Sequence, residues 1–423
     1  MKVSVIGLGY VGLPLACAIA LKTDYVVVGY DKNKNKIELI KQKKCPIDDE
    51  QCAIDLQKVN FEISDDVNII ENSDIYIVCV PTPVLNDYTP DLRPIRYATE
   101  DIAKFIKKGQ TIIIESTINP GVCEEVVVPI IESKTGLRSA IDFDVVHCPE
   151  RINPGDKYWN VYNIPRNLGA TTPEATKKMA NFYRSFINAE INEMPNLKTA
   201  EATKIIENTF RDINIAFVNE LAKSFDVLGI DLMAVIKGAS NKPFAFMPHY
   251  PSCGVGGHCI PVDPYYLIER AKLSGFDHKF LKLAREINNS MPEYTINLLS
   301  EALNNFEKPI KKTTIGLLGL SYKGNVGDLR ESPSIKLKNI LIEKGADLLI
   351  YDPFFPEMSN VNSLDEILIK SYAILIATDH DIFKQITGDK LKQSNVYIVI
   401  DGKNCLNKID ILDSGIYYKG IGT

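Results

Sequence analysis

Lys2-Val3-Ser4-Val5-Ile6-Gly7-Leu8-Gly9-Tyr10-Val11-Gly12 opens the chain with an apolar run that breaks into glycines spaced G-x-G-x-x-G. The spacing predicts a strand, a tight turn and the start of a helix. In that frame Gly7 permits the turn, Gly9 lets a pyrophosphate approach the backbone, and Gly12 allows the helix to pack closely on the strand. Tyr10 and Val11 ride in the same loop and are expected to touch a dinucleotide, with the helix N-terminus facing its phosphates. The next apolar run, Tyr25 to Tyr30, ends at Asp31. An acidic side chain there accepts hydrogen bonds from the adenosine ribose and repels a 2′-phosphate, so NAD is the expected cofactor, although Lys32 and Lys34 stand close by.

Working outward, further strands are expected at Ile75 to Val80, Thr111 to Glu115 and Phe143 to His147, in the βαβ rhythm of a parallel sheet. From about Leu197 to Phe306 apolar positions recur every three or four residues, through Ala200 to Leu228 and again through Lys279 to Leu303, which reads as helix. A long helix joining two sheets exposes an apolar face unless it packs on a partner, so a homodimer or a higher even-numbered assembly is expected. Strands resume at Thr313 to Leu320 and continue at Asp347 to Tyr351, Tyr372 to Ala377 and Val396 to Ile400. Gly316 and Gly319 lack the tight glycine spacing and form a weaker nucleotide signal. The expected fold is α/β: two doubly wound Rossmann-like domains, 1–196 and 307–423, joined by a central helical segment, 197–306, with a long helix.

Composition narrows the function classes. The 423 residues, 45% of them hydrophobic, can fill two or three domain cores. A net charge of -6 gives no electrostatic reason to expect a nucleic acid, and the lysines between Lys32 and Lys44 fall at helical spacing, as on a solvated helix face. No apolar run approaches a membrane span, no signal peptide is visible, and a cytoplasmic protein is expected. The nine cysteines show neither a CxxC pair nor a Cys/His metal spacing, so no metal is expected and eight of the thiols read as small buried hydrophobes.

The ninth is different. In Gly256-Gly257-His258-Cys259-Ile260-Pro261-Val262-Asp263-Pro264 a thiol lies four residues from a carboxylate in a turn fixed by glycine and proline. That placement suits a nucleophile, and a thiol in a dinucleotide enzyme suggests covalent aldehyde chemistry. Lys204 and Asn208 share a helix face, where an ammonium and an amide could stabilise an oxyanion; read alone, such a pair is more often a solvated surface. Thr82, in Val80 to Pro83, and Thr117, in Glu115-Ser116-Thr117, follow strands at the edge where ligands of doubly wound sheets bind.

Taken together, these residues resemble the UDP-glucose/GDP-mannose dehydrogenase family. The resemblance is carried by GLGYVGLP at 7–14, VPTP at 80–83, EST at 115–117, HCPERINPG at 147–155, KIIENTFRDINIAFVNEL at 204–221, GGHCIPVDP at 256–264, REINNSMP at 285–292 and LGLSYKGNVGDLRESP at 318–333. It implies two successive hydride transfers from C6 of a UDP-sugar to NAD, taking an alcohol to a carboxylate through a thiohemiacetal and a thioester on Cys259. By the same resemblance Asp263 holds or activates water, Glu150 is an acid/base carboxylate, Thr117 orients water, and Lys204 and Asn208 act on oxyanions. Glu150, Arg151, Lys204, Asn208, Arg211, Gly256, Tyr322, Lys323 and Lys403 resemble substrate-binding positions, and Arg330 one that reaches the cofactor.

Arg211 to Ala216 and His258 are similar to the branch acting on UDP-N-acetylhexosamines. Relatives that use the mannosamine epimer tend to carry His and Arg near 243 and 245, where this chain has Pro243 and Ala245, so UDP-N-acetylglucosamine is the first expectation, with UDP-N-acetylmannosamine and UDP-glucose as alternatives. Two rivals remain: a two-electron NAD dehydrogenase, which gives Cys259 no task, and an inactive nucleotide-binding protein.

Overall fold

The computed structural model describes residues 1–85, 87–152 and 158–423, so the end of the motif at 147–155 lies outside the described residues. The chain divides into two compact units, Met1–Glu207 with Tyr265–Asp277, and Asn208–Pro264 with His278–Thr423.

The first unit holds an eight-stranded sheet: β1 (Lys2–Ile6), β2 (Val26–Tyr30), β3 (Glu62–Ser64), β4 (Ile75–Val78), β5 (Thr111–Ile114), β6 (Asp144–His147), β7 (Arg166–Ala170) and β8 (Ile191–Glu193). Their order is β3-β2-β1-β4-β5-β6-β7-β8, so the first six form the doubly wound arrangement whose order reverses between β1 and β4. Register sets Ile6 beside both Tyr30 and Val78, and Ile114 beside both Val78 and His147. The residues following four strands, at 7, 31, 79 and 115, therefore collect along one sheet edge. Continuous apolar runs such as Ile112, Ile113 and Ile114 are buried on both faces, as a helix-covered parallel sheet requires.

The strands found at Glu62–Ser64, Arg166–Ala170 and Ile191–Glu193 were outside the sequence expectation, and β7 runs antiparallel to β6. The reversal has a consequence for the site. Because β7 starts where β6 ends, Arg166 at its first position is delivered to the same edge as the residues that follow the parallel strands.

The second unit carries a five-stranded, all-parallel sheet: β9 (Thr314–Leu318), β10 (Asp347–Tyr351), β11 (Ala373–Ile376), β12 (Ile398–Asp401) and β13 (Tyr417–Gly420), in the order β10-β9-β11-β12-β13. This is the other common doubly wound order. Between the sheets in sequence, helices span Leu197–Leu228, Leu232–Ala239, Asp263–Leu273 and Lys279–Asn305. Pro292 sits inside the last, where it removes one helical donor. Among the described residues no helix is long and apolar enough to cross a membrane.

Candidate active site

In the first unit Gly7 has φ 92°, and a Cβ there would lie 2.7 Å from the Cys79 carbonyl oxygen. A Cβ on Gly12 would fall 1.9 Å from the Gly7 carbonyl oxygen, so the helix Gly12–Lys22 can approach the turn only with hydrogen at that position. At Gly9, by contrast, a Cβ meets nothing within 4 Å. The backbone there faces open space, and the helix is preceded by Val11 rather than by a capping Ser, Thr, Asn or Asp. Leu13 donates its amide to the Gly9 carbonyl at 3.1 Å and Pro14 has none, so it is the open backbone of the glycine turn at the helix N-terminus that fits a dinucleotide pyrophosphate.

Asp31 is buried at the end of β2 and braces the loop: its carboxylate accepts the Leu8 amide at 2.8 Å, the Asn33 amide at 2.9 Å and the Lys36 ammonium at 2.6 Å. Lys32 and Lys34 instead reach Asp101 and Asp65 at 3.6 Å. Tyr10 is half-buried, and its hydroxyl accepts the Asp48 amide at 3.4 Å. Thr82 is buried, with its carbonyl accepting from the Tyr266 hydroxyl, and Thr117 is half-buried after β5.

Glu150 stands in a buried charged cluster that sequence reasoning missed. Its Oε1 accepts the Arg151 and Ile152 amides at 2.6 and 2.8 Å. Its Oε2 lies 2.5 Å from Arg166 Nη2, an ion pair whose angles fall outside those of a hydrogen bond. Arg166, fully buried, also donates to Glu115 at 3.1 Å, and Glu115 accepts the Tyr183 hydroxyl. Burial pushes the Glu115 carboxyl up to about 7, with Arg166 opposing the shift and Glu150 adding to it. Arg166 in Pro165-Arg166-Asn167 carries no motif; only the antiparallel strand reveals its place. Arg151 is held by Glu207, at 2.6 Å through Nη2 and 3.1 Å through Nε, and by the Pro165 carbonyl at 3.0 Å.

In the second unit the cysteine turn packs against the loop after β9. A Cβ on Gly256 would lie 2.6 Å from the Tyr322 Cβ, and the Gly257 amide donates to the Arg330 carbonyl at 2.9 Å. Cys259 is half-buried and reduced, and its carbonyl accepts the Val262 and Asp263 amides at 3.1 and 2.8 Å as the helix Asp263–Leu273 begins. The charge of Arg330 interacts with Cys259, while its side chain donates Nη2 to Asp328 at 2.6 Å. Burial and the neighbouring Arg330 lower the basicity of His258, which favours a neutral imidazole beside the thiol.

Asp263 is buried, and its Oδ2 accepts the Asn208 side-chain amide at 2.6 Å, joining two sequence-predicted site residues 55 positions apart. On the long helix Lys204 is buried one turn before Asn208, whereas Arg211 is exposed. Tyr322, Lys323 and Lys403 are half-buried. Lys403 follows Gly402, whose carbonyl accepts the Cys253 amide at 3.2 Å, so it stands at the entry to the cysteine turn. Among the described residues no group of three or more His, Cys, Asp or Glu is arranged to hold a metal.

A doubly wound sheet edge shaped for a dinucleotide defines a nucleotide-binding protein, and the comparisons with known proteins narrow that class. Three family models match: the NAD binding domain of the UDP-glucose/GDP-mannose dehydrogenase family over residues 1–187, its central domain over 198–290 and its UDP binding domain over 316–408. The chain belongs to the UDP-glucose/GDP-mannose dehydrogenase family. It is 36% identical to the UDP-N-acetyl-D-mannosamine dehydrogenase of Pyrococcus horikoshii, over 100% of this chain and 99% of that one. It is 37% identical to the UDP-N-acetyl-D-glucosamine 6-dehydrogenase of Pseudomonas aeruginosa, over 93% and 94% of the two chains. A solved UDP-D-ManNAc dehydrogenase from Pyrococcus horikoshii superposes with a TM-score of 0.93 at 36% identity, covering 100% of this chain and 99% of that one. The protein is accordingly an NAD-dependent oxidoreductase of UDP-sugars.

Proposed function

We propose that the chain oxidises the C6 hydroxyl of a UDP-N-acetylhexosamine to the carboxylate, in two oxidations without release of the aldehyde. The observation that carries the reading is the cysteine turn: a half-buried thiol in a loop whose glycines admit Tyr322 and whose end, Asp263, is bound to Asn208.

NAD, when bound, supplies the hydride acceptor for each oxidation. The sulfur of Cys259 adds to the C6 aldehyde, because a carbonyl can give up a second hydride only as a tetrahedral adduct. Oxidation of that thiohemiacetal leaves a thioester, which water cleaves to the uronate while the thiol is regenerated. Lys204 and Asn208 stabilise negative charge on the C6 oxygen. Asp263 holds the hydrolytic water, Thr117 orients it, and Glu150 takes or returns its proton. Lys323 and Tyr322 hold the UDP part, Lys403 and Arg211 the sugar side, and Arg330 contacts the cofactor by sharing its guanidinium with Asp328.

UDP-N-acetylglucosamine is the favoured substrate, on Pro243 and Ala245; Ala245 also adopts a left-handed φ of 62°. A second reading, the mannosamine epimer, is favoured by the full-length similarity to the Pyrococcus horikoshii protein. We further propose that 1–196, 197–306 and 307–423 act as cofactor, central and UDP-sugar segments. The assembly is an even-numbered homo-oligomer, because Phe210 and Phe217 lie 48% and 54% exposed on the long helix, and the enzyme works in the cytoplasm.

The test is stoichiometry. The wild type should form two NADH per sugar when UDP-N-acetylglucosamine, UDP-N-acetylmannosamine, UDP-N-acetylgalactosamine and UDP-glucose are assayed side by side. Cys259→Ser should lower turnover by about 10³-fold or more while still binding substrate. One NADH per sugar, or full activity in Cys259→Ser, overturns the thioester route.

A further inference from the structure

Two stretches that the proposed mechanism leaves unused, Asp212 to Ala216 and Arg285 to Pro292, meet inside the second unit. Asp212 on the long helix pairs with Arg285 on the helix Lys279–Asn305 at 2.5 Å, with both side chains buried. Asn288, nearly one turn beyond Arg285, donates its Nδ2 to the Asp212 carboxylate at 2.8 Å and to the Asp212 carbonyl at 3.0 Å. The Oδ1 of Asn288 accepts from Asn219 Nδ2 at 2.9 Å, and the Oδ1 of Asn219 accepts the backbone amide of Ser252 at 2.9 Å. Ser252 then donates its hydroxyl to the Gly254 carbonyl at 2.9 Å. Asn219 and Asn288 are 0% and 1% exposed, so water does not substitute for these bonds.

The direction of the chain is fixed by chemistry. The Ser252 amide can only donate, which turns the Asn219 oxygen toward it and the Asn219 amino group toward Asn288; that in turn sends the Asn288 amino group to Asp212. A buried ion pair serving stability alone could be replaced by apolar side chains. This one extends through two amides and ends on a loop rather than within the helices. The loop it holds is the entry to Gly256-Gly257-His258-Cys259, whose other anchors are the Cys253 amide on the Gly402 carbonyl and the Gly257 amide on the Arg330 carbonyl.

We propose that Asn219 and Asn288 are positioning residues for Cys259: clamped by Asp212 and Arg285, they fix Ser252 and through it the turn that presents the thiol. The inference rests on the reading of Cys259 as nucleophile. Misplacing a reacting group by about 1 Å can cost on the order of 10²-fold in rate, so a slack turn should be visible in kcat.

In the full chain, Asn219→Ala should lower kcat with UDP-N-acetylglucosamine or UDP-N-acetylmannosamine by about 10- to 100-fold. KM for NAD should stay unchanged, and the rate of Cys259 alkylation by iodoacetamide, followed by mass spectrometry, should shift. If Asn219→Ala fails to fold, the half-buried Ser252 decides: Ser252→Ala should reproduce part of the loss and Ser252→Thr, which keeps the hydroxyl, should restore it. Wild-type kcat and alkylation in folded Asn219→Ala or in Ser252→Ala, whatever happens to Tm, overturns the proposal. Cys259→Ser separates the two levels. If it stays active the nucleophile reading fails, and if it is inactive while the Asn219 and Ser252 variants are normal, the positioning inference alone fails.

Discussion

The two sheets begin with nearly the same turn and then use it in opposite ways. Gly7 after β1 has φ 92° and Gly319 after β9 has φ 93°. The amide of each donates to the tyrosine carbonyl ending the neighbouring strand, Tyr30 at 2.8 Å and Tyr351 at 2.9 Å. Each is followed by a leucine whose amide donates to an aspartate, Leu8 to Asp31 at 2.8 Å and Leu320 to Asp352 at 2.6 Å. From there the two diverge. In the first unit the helix starts at once, at Gly12, and Gly9 looks into open space. In the second, residues 321–332 intervene before the helix Pro333–Glu343, which Ser332 caps with its own side chain.

The aspartates differ in what they have left to offer. Asp352 also takes the Ser321 amide and hydroxyl, at 3.0 and 3.1 Å, and the Phe354 amide at 2.8 Å. His380 completes the set: its Nδ1 accepts the Asn325 amide, so its Nε2 carries the proton and donates to Asp352 at 3.2 Å. Burial pushes the Asp352 carboxyl up, but the donations of His380 and the backbone amides outweigh it and hold the group below the usual carboxylate range. A dinucleotide crevice is therefore defined less by the strand and turn, which both units possess, than by donors and acceptors the protein leaves unspent.

The largest expected effect separates the aspartates. Asp352→Ala strips a buried acceptor from several donors at once, each left unpaired at on the order of 1–3 kcal/mol, and should lower unfolding free energy by about 3 kcal/mol or more without changing KM for NAD. Asp31→Ala should do the reverse, with a smaller loss of stability and a narrowed preference for NAD over NADP. Denaturant titration beside kcat/KM for both cofactors checks the pair. A change in NAD affinity in Asp352→Ala would mean that the second crevice also takes part in cofactor binding.

The next effect sharpens the contrast at the glycines. A Cβ at Gly9 meets no protein atom within 4 Å, so Gly9→Val should fold with a near-native Tm while occupying the space a pyrophosphate needs. We expect NAD affinity to fall by about 100-fold, roughly 2.7 kcal/mol. Calorimetric titration with NAD measures it, and unaltered affinity would show that the dinucleotide lies elsewhere.

What the sequence made legible follows the same physical line. Strand ends and tight turns are local, so the glycine loop, the Asp31 position and the cysteine turn could be read from spacing. Arg166, Tyr183 and Glu207 could not. Arg166, on a strand whose reversed direction leaves no period in the chain, joins Glu115 across 51 residues, and Tyr183, on the helix Pro173–Arg184, joins it across 68. The hydrogen bond between Asn208 and Asp263 was equally hidden, although each residue had been singled out alone. Nor did Gly316 and Gly319 tell that Asp352 would be fully engaged, since its partners Ser321, Phe354 and His380 come from three separate loops.

The smallest effect probes the buried cluster beside the first crevice. Burial raises the Glu115 carboxyl to about 7, above its usual value near 4.5, with Arg166 opposing and Glu150 reinforcing the shift. A carboxyl whose folded value is raised contributes its full stability below the unfolded value and loses it as pH climbs through the folded one. Wild-type stability should thus decline between about pH 4.5 and pH 7 from this group and stay flat above it. Gln at 115 keeps an acceptor for Tyr183 and has no proton to lose. The difference in unfolding free energy between Glu115→Gln and wild type should therefore move in favour of the variant from pH 5 to pH 8, by about 1–2 kcal/mol, because Glu150 and Arg166 share the charge and absorb part of the full shift. Denaturant titrations at the two pH values check the sign. A difference that is constant with pH would mean that Glu115 is already ionised at pH 5, with Arg166 outweighing burial.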